Sequence, residues 1–560
     1  MNSMKFGQRA LARQLRIGSR RDVDLISVLL LAMFTAFLAY VARLNPVTHD
    51  AFHEMALVRE WFRTGTFPTS DVWSYSPTVS PAVHHEWATG LALYWSAGDN
   101  PLGLQGMMAL RLSLICLLWI LLYRVARNGG CHPIVFAVLA PITFPFLWVG
   151  FSTVRAQLFT LVFLAIQMLF LQSDWRGRKA WVFGWGVLFL AWLNMHAGFV
   201  VGAAFLIAHV VERVLASLHD DGVIDAKRPW VIRYGSIGLS NLRKALSQTW
   251  HLFVLIPVGI ALTFCNPWGS EYIPYLYRAI TMLRPTIVEW QPLWKTYAPD
   301  LTMASYIVAV AVMIYAACQK RWIRLRGWMF CALAAFMALK HIRHGSLFAV
   351  LWIGIVHALV SSTPLGHWMI RTVQGSRRKT MVLASITTMA CGVFAMVQPF
   401  WLATVPRSLA DINVCYPVGA VNYLKRNAFH GNVMTPFQTG AYVSWRLYPD
   451  VRVSLDGRYE VAYQDHVLPD HNDIYQAKPG WQERLSKYPS DLILVNRLNP
   501  LSQAMLSEYS RYLGRSDLSK SENEPTWQLY YEDDAFLLFG RSGLDLRYSN
   551  GNGNDIAQAF

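Results

Sequence analysis

Acidic side chains are scarce in this sequence. Asp and Glu together number 34 in 560 residues, and charged residues of both signs reach only 15% against 54% hydrophobic. A water-soluble domain averages about 25% charged residues, so the shortfall excludes an ordinary soluble protein. Cysteine is sparse as well: seven residues stand singly, and six of them (Cys116, Cys131, Cys265, Cys318, Cys331 and Cys391) lie in or beside apolar runs. With Cys415 alone in the C-terminal part, a disulfide framework or a Cys-based zinc site is excluded there. Carboxylates are also missing from the middle of the long apolar runs, where an ion- or proton-coupled carrier needs them. Internal repeats are lacking, and the one biased tract is a Gly/Asn-rich end (NGNGND).

What is present is apolar length. A bilayer crossing needs about 20 mainly apolar residues. Eleven runs approach it: 25–42, 104–123, 133–151, 156–172, 180–195, 198–211, 252–264, 302–317, 328–339, 346–360 and 381–402, those starting at 198, 252 and 328 being short. Arg9, Arg13, Arg16, Arg20 and Arg21 precede the first run as they would a signal peptide. No small-residue cleavage site follows, and further runs do, so the segment reads as a retained helix. The expected architecture is a polytopic α-helical membrane protein of about eleven transmembrane helices with a C-terminal extracytoplasmic α/β domain. Its parts are a basic cytoplasmic N-terminus (1–22), a transmembrane domain (23–404, first external loop 45–103) and the soluble domain (405–560).

The net charge of +16 hides a split: residues 405–560 carry 15 basic and 18 acidic side chains, leaving a net +19 for the membrane part. The basic segments 1–21, Arg124 with Arg127, 176–179, 213–244, 320–326 and 371–379 all fall on one face if the spans alternate. The excess of Lys and Arg marks that face as cytoplasmic. The positive charge is therefore topological, and no nucleic-acid partner is needed to explain it. The other face receives the loop 49–87, Arg155, the Asn194/His196 pair, residues 266–294, the segment 341–344 and everything after about 404.

That loop (HDAFHEMALVREWFRTGTFPTSDVWSYSPTVSPAVHHEW) packs Asp50, His53, Glu54, Asp71, His84, His85 and Glu86 into one connection. Thr48 can cap a helix running to about Arg63, which puts Asp50, His53 and Glu54 on one face. Phe52, Met55 and Phe62 lie on a neighbouring face suited to the membrane surface. A carboxylate at headgroup depth can serve as a general base for a hydroxyl acceptor, with His53, Glu54 or Glu86 tuning it. It can equally hold a divalent cation, for which Asp50, His53 and Glu86 are candidate ligands.

Arg155 and Arg343 close spans on the same face, where Arg suits either a phosphate or an interfacial anchor. Arg111, inside the second run, either faces a polar cavity or snorkels outward. Asn194 and His196 occupy a short outer turn, with Gly198 and Gly202 at a spacing that favours close helix packing. Glu289 (VEWQP) is a candidate for acceptor or metal contact. In the tail, a helix near 418–426, strands at 432–435, 451–455 and 492–495, a helical GAYVSWRLY and a hairpin over 527–539 suggest a small α/β domain. Its Asp456-Gly457-Arg458 turn either contacts an acceptor or simply ends a strand with an Asp–Arg pair.

Taken together, HDAFHEMALVREWFRTGTFPTSDVWSYS with HHEW, then WLNMHAGF, NPWG, IVEWQP, RHGSLFA and SLDGRYEVAY, resemble the GT-C superfamily of polyprenyl-phosphate-dependent glycosyltransferases, and within it bacterial proteins similar to the family 39 protein mannosyltransferases. The resemblance implies a bacterial inner-membrane enzyme that moves a sugar, with inversion, from a polyprenyl-phosphate donor among membrane lipids to an extracytoplasmic acceptor. That acceptor is a protein, lipid or polysaccharide. Asp50 occupies the family's first-loop catalytic position, with His53, Glu54, His85 and Glu86 on the acceptor side, and Arg155, Arg343 and Arg111 are expected at the donor phosphate. Asp71, Asn194, His196 and Glu289 complete the candidates. No strict Asp-x-Asp occurs; His49-Asp50 stands in its place, so a divalent metal cofactor stays open. A lipid-glycan flippase or transporter and a non-catalytic scaffold of envelope polysaccharide assembly are the competing readings.

Overall fold

The computed structural model describes residues 20–41, 47–98, 101–151, 154–220, 239–282, 287–295, 299–319, 326–397, 403–409, 415–513 and 526–551. The basic segment 1–19, most of the basic loops 221–238 and 320–325, and the Gly/Asn-rich end 552–560 lie outside them. Within them, eight helices are long and apolar enough to cross a membrane, and three shorter apolar ones (Trp181–Met195, Leu246–Leu262 and Trp328–Lys340) take the other predicted places. The chain is a multi-pass membrane protein.

Two runs differ in detail from expectation. The run from residue 198 is long, a helix over Phe199–Asp220, and the short one is instead Trp181–Met195. The run 133–151 breaks into a helix Pro133–Leu139, a 3-10 turn Ala140–Thr143 and a helix Phe144–Phe151. Pro141 and Pro145 cannot donate to the preceding turn, which breaks the helical ladder there. The helix Gly345–Ser361 is the axis of the bundle. It packs against Leu104–Asn128, Phe144–Phe151, Gln157–Trp175 and Trp328–Lys340, and Phe348 to Ile353 are fully buried.

The bundle holds polar clusters at both ends of the helix Gln157–Trp175. At its last turn, Asp174 meets His209 Nε2 at 3.0 Å, His251 Nε2 at 2.6 Å and Arg213 Nε at 2.8 Å, with Arg213 stacked on Trp175. This network ties three helices together. The first turn leads instead into the candidate site described below.

The C-terminal domain is built on one mixed sheet of six strands, ordered β2-β1-β3-β5-β4-β6. The strands are β1 (Gly431–Met434), β2 (Val451–Val453), β3 (Leu492–Asn496), β4 (Trp527–Glu532), β5 (Phe536–Arg541) and β6 (Ser549–Asn550). β2, β1 and β3 run parallel, whereas β3, β5 and β4 alternate. The predicted hairpin turns where Asp533 Oδ1 accepts from the amides of Ala535 and Phe536. The predicted helices appear at Val418–Arg426 and Gly440–Leu447.

The first-loop helix, His49–Thr64, does not lie on the membrane through Phe52 and Met55 as its pattern suggested. Both are fully buried against the C-terminal domain, Phe52 between Tyr416 and Tyr442 at ring separations of 5.2 and 5.1 Å. Only Phe62 is substantially exposed. Amphipathicity shows that a face will be covered, not by what. Thr48 is the N-cap residue, but its side chain makes no cap bond and its hydroxyl is buried without a partner among the described residues.

Beyond the helix, the loop joins the sheet. Tyr75 N donates to Val453 O (3.1 Å) and Val453 N to Trp73 O (3.0 Å), which adds a short edge beside β2. The junction is held by Arg458, whose Nη1 lies 2.6 Å from Asp71 Oδ1 and whose Nη2 lies 2.6 Å from Asp456 Oδ2. Trp73 covers the guanidinium at 4.8 Å. Asp71 is thus a structural anchor and not a site residue, and the Asp456-Gly457-Arg458 turn does contain the Asp–Arg pair.

Removing one partner of such a group strands the other charges in a dry site, at about 3–5 kcal/mol. Arg458→Met is expected to destabilise by that order, seen as a lowered melting temperature and faster proteolysis of loop 66–86; unchanged melting would show the clamp to be dispensable.

Candidate active site

Five segments meet at one end of the bundle: the start of the first-loop helix, the start of the helix Trp87–Ala97, the turn before Gln157, and the 3-10 turns Val288–Trp290 and Ile342–His344. Gln157 ties two of them by donating to Arg343 O (3.0 Å) and Ser346 Oγ (2.9 Å). His341 and Ile342 bond to Trp290 O and Gln291 O and so bring in a third.

On this frame Asp50 Oδ1 lies 3.2 Å from His49 Nε2 and its Oδ2 lies 4.0 Å from Arg155 Nε. Arg155 Nη1 lies 2.5 Å from Glu289 Oε1. The Arg343 guanidinium lies over the Trp290 ring at 4.4 Å and has no carboxylate within ion-pair distance among the described residues. Burial pushes the Asp50 carboxyl up, but the charges of His49, Arg155, His53 and Arg343 outweigh it and hold it at about 2. Glu289 is raised by burial and lowered further by Arg155 and Arg343, for a net decrease. Asp50 and Glu289 are therefore fixed anions at neutral pH beside two guanidinium groups.

A second group lies one turn on. His53 Nε2 meets Glu54 Oε1 at 3.2 Å, while Glu54 Oε2 and His53 Nδ1 are buried without partners among the described residues. Burial raises Glu54, and Glu54 in turn raises His53, so the pair titrates as a unit. Gly90 makes room for it, because a Cβ there would stand 2.6 Å from Glu54 O and 3.2 Å from Oε2. Glu86 Oε1 lies 3.3 Å from His85 Nε2 and 3.5 Å from His196 Nε2. Burial raises Glu86, and the His85 hydrogen bond with the His85 and His196 charges more than reverses that.

The other candidates fall elsewhere. Arg111 is buried and donates to Phe151 O at the end of the helix Phe144–Phe151 and to Met108 Sδ, so it holds the backbone leading to Arg155. Asn194 accepts from Trp87 Nε1 (2.9 Å) and donates to Leu190 O and Cys265 O, which is a structural use. His84 is core, set between Trp73 and Trp268. Among the described residues no three His, Cys, Asp or Glu side chains gather so as to hold a metal ion, Asp50, His53 and Glu86 included.

Sequence reasoning passed over His49, Trp290, Tyr275, Thr160 and the edge of the C-terminal domain. Phe437 approaches the His49 ring at 5.8 Å, and a Cβ on Gly457 would stand 2.5 Å from His49 Cδ2. His49 was legible only as a neighbour of Asp50, and consecutive helical residues ordinarily point apart. The Asp456-Gly457-Arg458 turn was legible as a candidate, but not the approach of Gly457 to His49, which forms across the domain boundary.

Solved structures show the same fold. The apo oligosaccharyltransferase of Archaeoglobus fulgidus shares 12% identity, with 93% of this chain and 75% of that one covered at a TM-score of 0.55. The AglB oligosaccharyltransferase of the same organism, in complex with an inhibitory peptide and a dolichol-phosphate, shares 13%, covering 93% and 74% at 0.55. ArnT from Cupriavidus metallidurans in the apo state matches more loosely, at 12% identity, 92% and 97% coverage and 0.44. No protein-family model and no curated protein matches the sequence. The chain shares the fold of the two Archaeoglobus fulgidus structures over 93% of its length.

Two outcomes are expected. Asp50 is ionised in the native protein above about pH 2, below its ordinary 3.8, so the stability it contributes is present above pH 3.8 and lost as pH falls towards 2. Arg155→Gln removes a cation and moves that midpoint upward, measurable by difference infrared spectroscopy against Asp50→Asn; an unmoved midpoint would show that Arg155 does not hold the carboxylate. Gly457→Ala crowds His49 and should lower turnover about tenfold or more, a sub-ångström misplacement being enough, while melting stays near wild type.

Proposed function

We propose that the protein is a glycosyltransferase that moves a sugar, with inversion, from a polyprenyl-phosphate donor to an acceptor hydroxyl on the extracytoplasmic face of a bacterial inner membrane. The observation that carries this reading is the juxtaposition of Asp50 with Arg155, Glu289 and the Trp290-stacked Arg343. A phosphate needs fixed donors, and Arg supplies them in a planar fork. An attacking hydroxyl needs a carboxylate beside the same point. The complex of AglB with a dolichol-phosphate and a peptide supports a lipid-linked donor and an external acceptor.

The acceptor O–H hydrogen-bonds to Asp50, its oxygen attacks the anomeric carbon, and the carbon–phosphate oxygen bond breaks on the opposite side. Arg343 and Arg155 hold the departing lipid phosphate. Asp50 is the general base, and its low pKa makes it a poor resting place for the proton. His49 Nε2, 3.2 Å from Asp50 Oδ1, holds the carboxylate in place, and the proton passes from Asp50 to the departing phosphate. Glu289 occupies Arg155 until phosphate competes for it.

Asp50→Asn should retain expression and fold while lowering transfer of radiolabelled sugar from polyprenyl-phosphate donors to envelope acceptors by about a thousandfold, the range for loss of a general base. Arg343→Ala should weaken binding of undecaprenyl phosphate. A fully active Asp50→Asn protein would remove the central role of this carboxylate.

A further inference from the structure

Glu86 is the N-cap residue of the helix Trp87–Ala97, yet its side chain makes no bond to that helix. It turns instead to two imidazoles, each with its far nitrogen occupied. His196 Nδ1 accepts from Gly198 N at 3.0 Å and faces Thr160 Oγ1 at 2.7 Å. A backbone amide can only donate, so His196 Nδ1 is unprotonated and its proton sits on Nε2, facing Glu86. Thr160 is held in turn by Trp192 Nε1 at 2.8 Å. The second arm has the same form: Tyr275 OH lies 2.6 Å from His85 Nδ1, and His85 Nε2 faces Glu86.

Two hydroxyl–imidazole arms thus converge on one carboxylate oxygen, Oε1. The other oxygen, Oε2, has no partner among the described residues, and the side chain is 17% exposed. Gly198 admits no larger residue, because a Cβ there would stand 2.4 Å from Thr160 Oγ1 and 2.7 Å from His196 Nδ1. Asp50 and Arg155 are near enough for their charges to act on Glu86 and His196.

We propose that Glu86 Oε2 is the seat for an O–H or N–H donor of the acceptor, and that His196 is a positioning residue whose fixed tautomer aims it. This rests on the glycosyl-transfer reading above. Both imidazoles face the carboxylate and hold Glu86 in its ionised form, an acceptor of hydrogen bonds. A substrate group with a hydrogen to give can then be oriented beside Asp50 without being deprotonated by Glu86. An acceptor with a second hydroxyl or an amide N–H next to its nucleophile fits this arrangement.

The test separates the two ends of the imidazole. Asn at 196 reproduces the Nδ1 end, keeping the Gly198 and Thr160 contacts while losing the donor to Glu86; Gln reproduces the Nε2 donor. Full-length His196→Asn and His196→Gln proteins are introduced into cells lacking the gene, and envelope glycans are profiled, with membrane levels of both proteins confirmed equal. A positioning role predicts that Gln restores the missing sugar to within about threefold and Asn does not. Restoration by Asn alone, by both or by neither overturns it. If deleting the gene changes no envelope sugar, the glycosyl-transfer reading falls and takes this inference with it, whereas the wrong rescue pattern leaves that reading standing.

Discussion

A single guanidinium, that of Arg458, decides whether the two halves of this protein are one structure. It neutralises Asp71 from the first loop and Asp456 from the tail at 2.6 Å each, in a site where all three side chains are nearly inaccessible. Neither carboxylate could be buried unpaired, and the Arg could not be buried alone. The loop must therefore come to the domain, and with it the first-loop helix that carries Asp50. The same turn that provides Asp456 and Arg458 sets Gly457 against His49, so the ion triad fixes the roof of the site as well as the joint.

The chemistry of the site follows from how unlike its carboxylates are. Asp50, beside two arginines, is kept ionised to low pH, whereas Glu54, one turn away and more deeply buried, is raised. Glu86 is returned to its anionic form by histidines rather than by arginines. Three acids within one loop thus take three electrostatic roles, set by what other loops bring to them. Arg343 is steadied by the face of Trp290.

Much of this was legible in the sequence, and what was not has common physical causes. The eleven apolar runs and the strands of the tail are local patterns, and periodicity reported them well. The first loop could be singled out because ionisable residues are costly near a membrane, and Asp50, Glu86 and Arg155 did prove to share a mouth. Phe52 and Met55 were assigned to lipid because their helix is amphipathic, but the moment of a helix cannot distinguish a bilayer from Tyr416 and Tyr442. Arg111 was expected at a phosphate and instead caps the helix ending at Phe151, since an intramembrane charge announces only that it needs a partner. Asp71 looked like chemistry and proved to be a fastener, because its partner lies 387 residues away.

The backbone bonds between residues 73–75 and β2 bear on how such a protein can be divided. They close one edge of the tail's sheet, while the Trp73 ring covers the guanidinium beneath it. Cut free at the last span, the tail would present an unpaired strand edge to other chains. The tail is therefore not a separable module: its fold is completed by a segment made some 380 residues earlier in synthesis, and the first loop has to wait, tethered at the membrane, until the strands of the tail have been made.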